Sequence, residues 1–490
     1  MIGDTVWREV AMGDVCEEIT VGFVGPMTSE YREAGVPFLR SMNIEPFRIN
    51  KTDLKFVSPA FHARISKSRL RAGDVVIVRT GAPGTAAVVP DWMHDGNCSD
   101  LVIARPGPGV DARFLCYYVN AVTHHIVNEH VVGAVQQHFN VGAAKSLKLP
   151  LPPLPEQRAI ARVLGGLDDK IELNRRMNRT LEDLARGVFR SWFVDFDPVV
   201  KPSKGFAGPS RGFAGPSKGL AGSGSPRPSS GGGSVPLASP SAGAAPADLF
   251  PKRLVDSPLG PIPEGWRVGT VGEEFNLTMG QSPPGSTYNE DGAGVPFYQG
   301  RTDFGFRFPT RRVYCTAPTR FAESGDTLVS VRAPVGDINM ADERCAAGRG
   351  VAAVRHKSGA TSYTYAMMAA LREAFDVFNG DGTLFGCIGK SDFDKMQVLV
   401  PPPEMVAAFE RIAGPWDAQI TVNEKEARSL AATRDALLPV LLSGEVRLRN
   451  KHEAERAVGD ALRSTSPSPR AGGNGSPRAG TVAGDSKGRA

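Results

Sequence analysis

The sequence lacks the long apolar runs and the leader peptide that membrane insertion or export would require. No uninterrupted apolar stretch among its 490 residues approaches the roughly 18 residues that a membrane helix needs. The first residues also lack a basic start followed by an apolar core, the pattern typical of a secretory signal. We therefore predict a soluble protein that stays in the cytoplasm.

Cysteine is scarce, and its spacing argues against the common cysteine-based sites. The six cysteines lie far apart and form no pair with the C-x-x-C spacing. Because neither a disulfide framework nor a zinc site is suggested, we expect reduced and mostly buried thiols. The cysteines are Cys16, Cys98, Cys116, Cys315, Cys345 and Cys387.

The sequence also lacks a strong charge of one sign. Its formal net charge is +5, but residues 201–250 carry 5 basic and 1 acidic side chains, and residues 451–490 carry 7 and 4. These two segments contribute +7, so the remaining chain carries −2. A DNA-binding face needs a local cluster of basic residues, and the overall charge therefore does not identify a nucleic-acid partner.

No complete catalytic or metal-binding motif is present. Residues 386–391 (GCIGKS) resemble the end of a phosphate-binding loop, but Leu384 stands where that motif requires glycine. His124, His125 and His130 have no carboxylate or cysteine at ligand spacing. We therefore predict no catalytic residue and no metal site in this chain.

A segment of unusual composition divides the chain. Gly, Pro, Ser and Ala occupy 37 of the 50 positions in residues 201–250, which leaves too little apolar surface to offset the entropy of ordering. A seven-residue unit that begins at Gly205 recurs at Gly212 and, altered, at Gly219, as expected of a duplicated flexible spacer. We predict a linker here and a disordered tail over residues 451–490.

The two parts that remain repeat each other. Trp7 matches Trp266 and residues 35–38 (GVPF) match residues 294–297, both at an offset of 259. Later, the proline-rich residues 149–153 (LPLPP) match residues 398–402 (VLVPP) at an offset of 249, and a long helical pattern follows each. We predict two β-containing modules, over residues 1–155 and 251–403, each followed by a helical segment, over residues 156–200 and 404–450.

Both helical segments carry apolar residues at alternating spacings of three and four. Such a seam is typical of paired helices, and a helix over residues 156–192 would be about 55 Å long, too long for one small domain to cover. Pro439 is expected to kink or end the second helix. Asn174 and Asn423 occupy matching seam positions, where they fix helix register or, alternatively, face solvent. The predicted interface residues are Leu167, Ile171, Asn174, Leu181, Trp416, Ile420, Asn423 and Leu430.

Polar residues that can hydrogen-bond base edges lie on turns between the predicted strands. They follow the two GVPF turns, end two equivalent strands, or precede the first proline-rich stop. Each alone is an ordinary exposed side chain, but turns are where recognition residues usually lie. The candidate DNA-binding residues are Arg40, Asn43, Arg79, Gln136, Gln137, Gln299, Arg301 and Arg332.

Over roughly residues 1 to 450, the chain resembles the specificity subunit of type I restriction-modification systems. The resemblance is carried by residues 149–161 (LPLPPLPEQRAIA), 167–171 (LDDKI) and 189–198 (FRSWFVDFDP). Residues 261–266 (PIPEGW) and 441–446 (LLSGEV) are also similar to the family. The chain departs from it in the long repetitive linker and in the start of the second helix.

The resemblance implies an α+β fold with two target-recognition domains separated by two long, antiparallel, coiled-coil-like helices in an internal pseudo-two-fold repeat. Each domain would read one half of a bipartite target in double-stranded DNA. The helices would dock two methyltransferase subunits, which bring S-adenosylmethionine, and recruit restriction subunits, which bring ATP and Mg²⁺. This chain would bind no cofactor and would have no activity alone.

Two other interpretations remain open at this point. The chain could be a DNA-modifying enzyme whose active site the sequence does not reveal, although the missing motifs argue against this. It could also be an interaction scaffold that binds proteins through its paired helices without reading DNA.

Overall fold

The computed structural model describes residues 7–129, 139–200, 249–379 and 386–448 of a mixed helix-and-strand protein. The chain divides into two compact units, Met1–Leu173 with Lys425–Ala490, and Asn174–Glu424. The division crosses both long helices, so each unit contains one β-rich module and a part of each helix. Among the described residues, no helix is both long and apolar enough to cross a membrane.

The β-rich module of the first unit has two larger sheets and two two-stranded ones. Its strands are β1 (Arg8–Ala11), β2 (Cys16–Val21), β3 (Tyr31–Arg32), β4 (Val36–Leu39), β5 (Ile44–Glu45), β6 (Arg48–Ile49), β7 (Lys55–Val57), β8 (Arg69–Leu70), β9 (Val75–Val78), β10 (Ala86–Val88), β11 (Gly96–Cys98), β12 (Leu101–Pro106) and β13 (Lys148–Leu151). The first larger sheet has the order β10-β9-β12-β2 and the second β3-β7-β4-β11-β8, and the two-stranded sheets are β1-β13 and β5-β6. Strand β9 lies antiparallel between β10 and β12, and its VVIV sequence is buried on both faces. Val75 and Ile77 join a core with the helices, and Val76 and Val78 join a core with strands of the second sheet.

The helices of this unit are α1 (Met12–Val15), α2 (Pro59–Arg64), α3 (Ala112–Glu129), α4 (Val141–Ser146) and the beginning of α5 (Leu154–Phe193). Most of them pack against the first sheet, whereas α2 contributes Phe61 to a core with Val57 of the second sheet. Phe114 of α3 and Leu164 of α5 share one apolar core with Ile77 of β9. The long helix therefore begins inside the core of the module that precedes it.

The second unit has a module with the same strand orders. Its strands are β14 (Leu254–Val255), β15 (Ile262–Pro263), β16 (Arg267–Thr270), β17 (Phe275–Met279), β18 (Tyr288–Asn289), β19 (Val295–Tyr298), β20 (Tyr314–Cys315), β21 (Phe321–Ala322), β22 (Thr327–Ser330), β23 (Ile338–Met340), β24 (Cys345–Ala347), β25 (Val351–His356) and β26 (Gln397–Val400). The sheets run β17-β25-β22-β23 and β18-β20-β19-β24-β21. When the first of these sheets is read from β23 to β17, its strands correspond one by one to β10-β9-β12-β2. The strands of the second sheet correspond in the same way to β3-β7-β4-β11-β8.

A glycine turn, followed by an aspartate that accepts hydrogen bonds, precedes the central strand of each module. Gly73 and Gly325 have φ of +89° and +88°, a backbone conformation that favours glycine. The next residue is a buried aspartate whose Oδ2 accepts a backbone N–H, at 2.9 Å for Asp74 and 2.8 Å for Asp326. An arginine of the neighbouring strand donates to the other carboxylate oxygen in both units. The matching sequence at these two turns therefore corresponds to matching structure.

The apolar core of the second unit includes parts of both long helices. The remaining helices are α6 (Asp197–Val200), α7 (Val271–Glu274), α8 (Thr361–Ala370), α9 (Arg372–Asp376), α10 (Lys390–Lys395) and α11 (Pro403–Leu442). Phe409 near the start of α11 and Phe193 at the end of α5 lie 5.7 Å apart by ring centroid, edge to face. Both also contact Tyr363 of α8 in the same core.

Helix α11 does not end at Pro439, which was one of the two outcomes expected of this proline. The helical hydrogen-bonding pattern continues to Leu442, and the Ser443 N–H donates to the Pro439 carbonyl at 3.0 Å. A proline in the last turn removes few hydrogen bonds. Burial of Leu438 and Leu441 in the core of the first unit offsets that loss.

Within each unit, α5 and α11 pack directly against each other. In the first unit, Leu167 and Ile171 contact Leu430, and Asp168 pairs with Arg434 at 2.7 Å. In the second unit, the helices meet through buried asparagines. The Asn423 amide donates to the Asn178 Oδ1 at 2.8 Å, and the Asn174 amide donates to the Asn423 carbonyl at 3.4 Å. These asparagines therefore do not face solvent.

Candidate nucleic-acid interface

The loop after β4 is held together from inside by Asn43. This side chain is fully buried, and its amide nitrogen donates to the carbonyls of Asn50 at 3.2 Å and Thr52 at 3.1 Å. Its Oδ1 accepts the backbone N–H of Arg40 at 3.0 Å. With both amide hydrogens engaged, Asn43 shapes the loop and has no donor left for a base in this conformation.

Arg40 extends from this loop into an ion-pair cluster. Its Nη2 donates to the Asp53 carboxylate at 2.8 Å and to the Asp53 carbonyl at 2.6 Å. Lys55 contacts the other carboxylate oxygen at 2.5 Å. Hydrogen bonds from Lys55 and then from Arg40 lower the pKa of Asp53. To contact a base or phosphate, Arg40 would break its hydrogen bonds to Asp53 and donate to the new acceptor.

The second predicted contact in this unit follows β9. Arg79 begins the hairpin loop that leads to β10, and its Nη1 contacts Asp100 at 2.5 Å.

Lys51 and Trp92 are a pair that the sequence did not identify. The Lys51 ammonium lies 3.9 Å from the Trp92 ring centroid, and this ring is 41% exposed. Only the fold brings these two distant residues together, so no local pattern signals them.

The second unit places an equivalent loop after β19. Asp303 is buried there and accepts the backbone N–H of Gln299 at 2.7 Å, as Asn43 does for Arg40. The side chains of Gln299 and Arg301 are exposed. The Nε of Arg301 lies 2.8 Å from the Asp337 carboxylate, which also pairs with Arg372. Hydrogen bonding to Asp337 raises the pKa of Arg372.

The ion pair to Asp337 joins two of the predicted contact segments. Asp337 ends the hairpin loop after β22, and exposed Arg332 lies near the start of that same loop. Arg301 and Arg332 are therefore presented by neighbouring loops of one module. The predicted contacts Gln136 and Gln137 lie outside the described residues.

The predicted interface residues lie mainly between the helices of this chain. Six of them are at most 3% exposed, whereas Leu181 and Trp416 are half-buried. These side chains are therefore occupied mainly by contacts within the chain. The buried six are Leu167, Ile171, Asn174, Ile420, Asn423 and Leu430.

The described residues contain no group of three or more His, Cys, Asp or Glu side chains that could hold a metal ion. All six cysteines are free, and four of them, Cys98, Cys116, Cys315 and Cys345, are buried.

The candidate residues are arginine, lysine, amide and aromatic side chains on loops. Such side chains contact phosphates and base edges.

The family model of the type I restriction modification DNA specificity domain matches residues 6–183 of the chain. The chain is also 26% identical over 456 residues to the putative type I restriction enzyme MjaX specificity subunit of Methanocaldococcus jannaschii, covering 90% of this chain and 94% of that protein. It is 24% identical over 472 residues to the type I restriction enzyme HindI specificity subunit of Haemophilus influenzae, covering 90% and 99%.

Among solved structures, the chain is similar to the S subunit of a type I restriction-modification system from M. genitalium. The two share 14% sequence identity with a TM-score of 0.50, over 90% of this chain and 98% of that chain. At this identity, the similarity concerns the fold alone.

Proposed function

We propose that this chain is the DNA-recognition subunit of a type I restriction-modification complex, because residues 6–183 match the family model of the type I restriction modification DNA specificity domain. The observation that carries the proposal is the presence, in each unit, of an internally locked loop that presents a polar or basic side chain. Arg40 occupies this position in the first unit and Gln299 in the second, with Arg301 two residues later.

We propose that the two modules form an internal pseudo-two-fold repeat and read different half-sites of a bipartite target. The equal strand orders and the matching glycine turns support the repeat. The loops themselves differ, with Arg40 and Asn43 in one module against Gln299, Arg301 and Asp303 in the other. Different donors and acceptors prefer different base edges, and the two half-sites should therefore differ in sequence.

The paired helices are the proposed docking surface for two methyltransferase subunits. Contacts between α5 and α11 inside each unit support a coiled-coil-like pair, because their apolar and asparagine seams are buried against each other. On this proposal, S-adenosylmethionine, ATP and Mg²⁺ are bound by the partner subunits, and this chain supplies sequence selectivity without catalysis.

A competition experiment tests the proposal. The chain is assembled with its methyltransferase subunits, and binding to a cognate duplex is competed with duplexes altered in either half-site. Arg40→Ala and Arg79→Ala should each reduce discrimination at the first half-site by about 1–3 kcal/mol and spare the second. Arg301→Ala and Arg332→Ala should do the converse.

Arg64→Ala is the matched control, because it removes an exposed, ion-paired arginine of α2 in the first unit. It should leave discrimination at both half-sites unchanged. Equal affinity of the unmodified complex for all duplexes would refute the proposal, and intact selectivity after truncation of either module would favour the scaffold interpretation. Methyl transfer by the purified chain alone would favour the enzyme interpretation.

A further inference from the structure

In the first unit, an arginine of α11 lies against the loop that carries Arg40. The Arg434 guanidinium lies 4.5 Å from the ring centroid of Phe47, and its Nη1 donates to Asp168 of α5 at 2.7 Å. The Tyr117 hydroxyl of α3 donates to the other Asp168 oxygen at 2.5 Å, and its ring lies 5.0 Å from that of Phe47. We call Phe47, Tyr117, Asp168 and Arg434 the first clamp.

The second unit has a comparable arrangement in which the cation comes from the loop itself. Arg307 is 2% exposed, and its Nη1 donates to Asp417 of α11 at 2.8 Å. Its Nη2 lies 3.6 Å from Glu182 of α5, and its guanidinium lies 3.9 Å from the Tyr365 ring centroid. We call Arg307, Tyr365, Asp417 and Glu182 the second clamp.

The two clamps share two corresponding positions of the sequence. Asp417 follows Asp168 at the offset of 249 that relates the two helices, and Arg307 takes the place of Phe47 in the loop. Tyr117 and Tyr365 both lie on the helix that follows the first sheet of their module, although not at matching positions. Each clamp thus contains an aspartate of a long helix and a tyrosine, while the arginine comes from the helix in one unit and from the loop in the other.

The loop residue of each clamp lies four residues after the buried side chain that holds its loop from inside. Phe47 lies four positions after Asn43, has φ of +69°, and donates its backbone N–H to Ala86 of β10 at 2.9 Å. Arg307 lies four positions after Asp303, and its carbonyl accepts the N–H of Met340 at 2.8 Å. The clamped segment in each unit thus contacts the hairpin strand as well as the long helices.

We propose that Arg434 and Arg307 are positioning residues for DNA recognition, each fixing the adjacent loop on the long helices. The inference rests on the proposed function and adds that these two residues connect the DNA-reading loops to the long helices. A guanidinium held between an aromatic face and a carboxylate has few alternative positions, because both contacts are directional. Arg434 belongs to the second long helix, but it positions the loop through which the first module reads DNA.

The test compares Arg434→Leu, the double variant Phe47→Arg with Arg434→Leu, and Arg428→Leu in the complete methyltransferase complex. Arg428 is an exposed arginine of the same helix and gives the same charge change. Two quantities are measured: amide hydrogen exchange of residues 41–50 and 299–310, and discrimination at each half-site. The double variant places the cation on the loop, as Arg307 does in the second unit.

Arg434→Leu should accelerate exchange in residues 41–50 and reduce discrimination at the first half-site about three- to thirtyfold, with the second half-site and residues 299–310 unchanged. The double variant should restore both quantities, and Arg428→Leu should change neither. Arg307→Leu should affect only residues 299–310 and the second half-site. If Arg434→Leu does not fold, Asp168→Asn, which retains the Tyr117 hydrogen bond, should give a smaller effect in the same direction.

Unchanged exchange and selectivity in the folded Arg434→Leu complex would overturn the inference. Equal losses at both half-sites, or failure of Phe47→Arg to restore the loop, would also overturn it. A wild-type complex without sequence selectivity would refute the proposed function instead, and the hydrogen-exchange result would still decide whether the clamp holds the loop.

Discussion

Removing the Leu430 side chain tests how strongly α5 and α11 hold the first unit together. Leu430 is fully buried, and it packs against Leu167, also fully buried, and Ile171. A Leu→Ala change at such a site removes the transfer free energy of the side chain and leaves a cavity. We expect Leu430→Ala to lower the free energy of unfolding by about 3–5 kcal/mol.

Helix pairing also makes a prediction about coupling. Leu167→Ala should cost a similar free energy, but because the two side chains share one contact, the double variant should cost less than the sum. The difference should be on the order of 1 kcal/mol. Urea denaturation of the complete chain, followed by far-ultraviolet circular dichroism, measures all three variants.

Leu173→Ala is the matched control, since Leu173 lies on α5, as Leu167 does, but is 42% exposed. It should change the free energy of unfolding by no more than about 0.5 kcal/mol. The packing argument fails if Leu430→Ala is no more destabilising than Leu173→Ala. Strict additivity of Leu167→Ala and Leu430→Ala would contradict direct contact between the helices.

Three further predictions concern loops and pH. Asn43→Asp should destabilise by about 1–3 kcal/mol, more than Asp303→Asn, because it replaces an amide that donates to two carbonyls; equal thermal shifts would contradict this. Gly84→Ala should destabilise strongly, since φ is +87° and a Cβ would lie 2.3 Å from the Cβ of Thr123, whereas Gly73→Ala has open space and tests the φ contribution alone. Burial raises the pKa of Glu410 above 4.5, so its folded form binds the proton more tightly and stability falls as pH rises above that value. Glu410→Gln should therefore unfold at a higher temperature than the wild type at pH 7 but not at pH 4, and the same difference at both values would contradict this origin.

The sequence located the long helices well, because their apolar periodicity and proline-rich starts are local signals. The helix predicted over residues 156–192 differs from α5 by at most two residues at each end. The predicted helical segment 404–450 begins within one residue of α11 but extends beyond its end at Leu442. The glycine turns before β9 and β22 also have a local signal, because each is a Gly-Asp pair and glycine adopts positive φ easily.

Long-range contacts account for what the sequence did not reveal. Asn43 was predicted as a base contact from its residue type, but carbonyls from later in the chain enclose its amide. Arg434 belongs to the second helical segment, and only the folded structure brings it against Phe47 of a distant loop.

Matching residues can also have different partners. The Trp7 Nε1 donates to Glu156 at 3.3 Å, but the Trp266 Nε1 is buried with no partner among the described residues. Met405 stands at the position that corresponds to Glu156. A repeat in sequence thus predicts a repeated backbone more reliably than repeated polar contacts.

The most direct test of DNA recognition by two modules is to map adenine methylation produced by this chain with its methyltransferase subunits on a random-sequence DNA library. We expect two different short motifs separated by a constant gap, with Arg40→Ala relaxing only one of them. A single continuous motif, or methylation without sequence preference, would contradict the account.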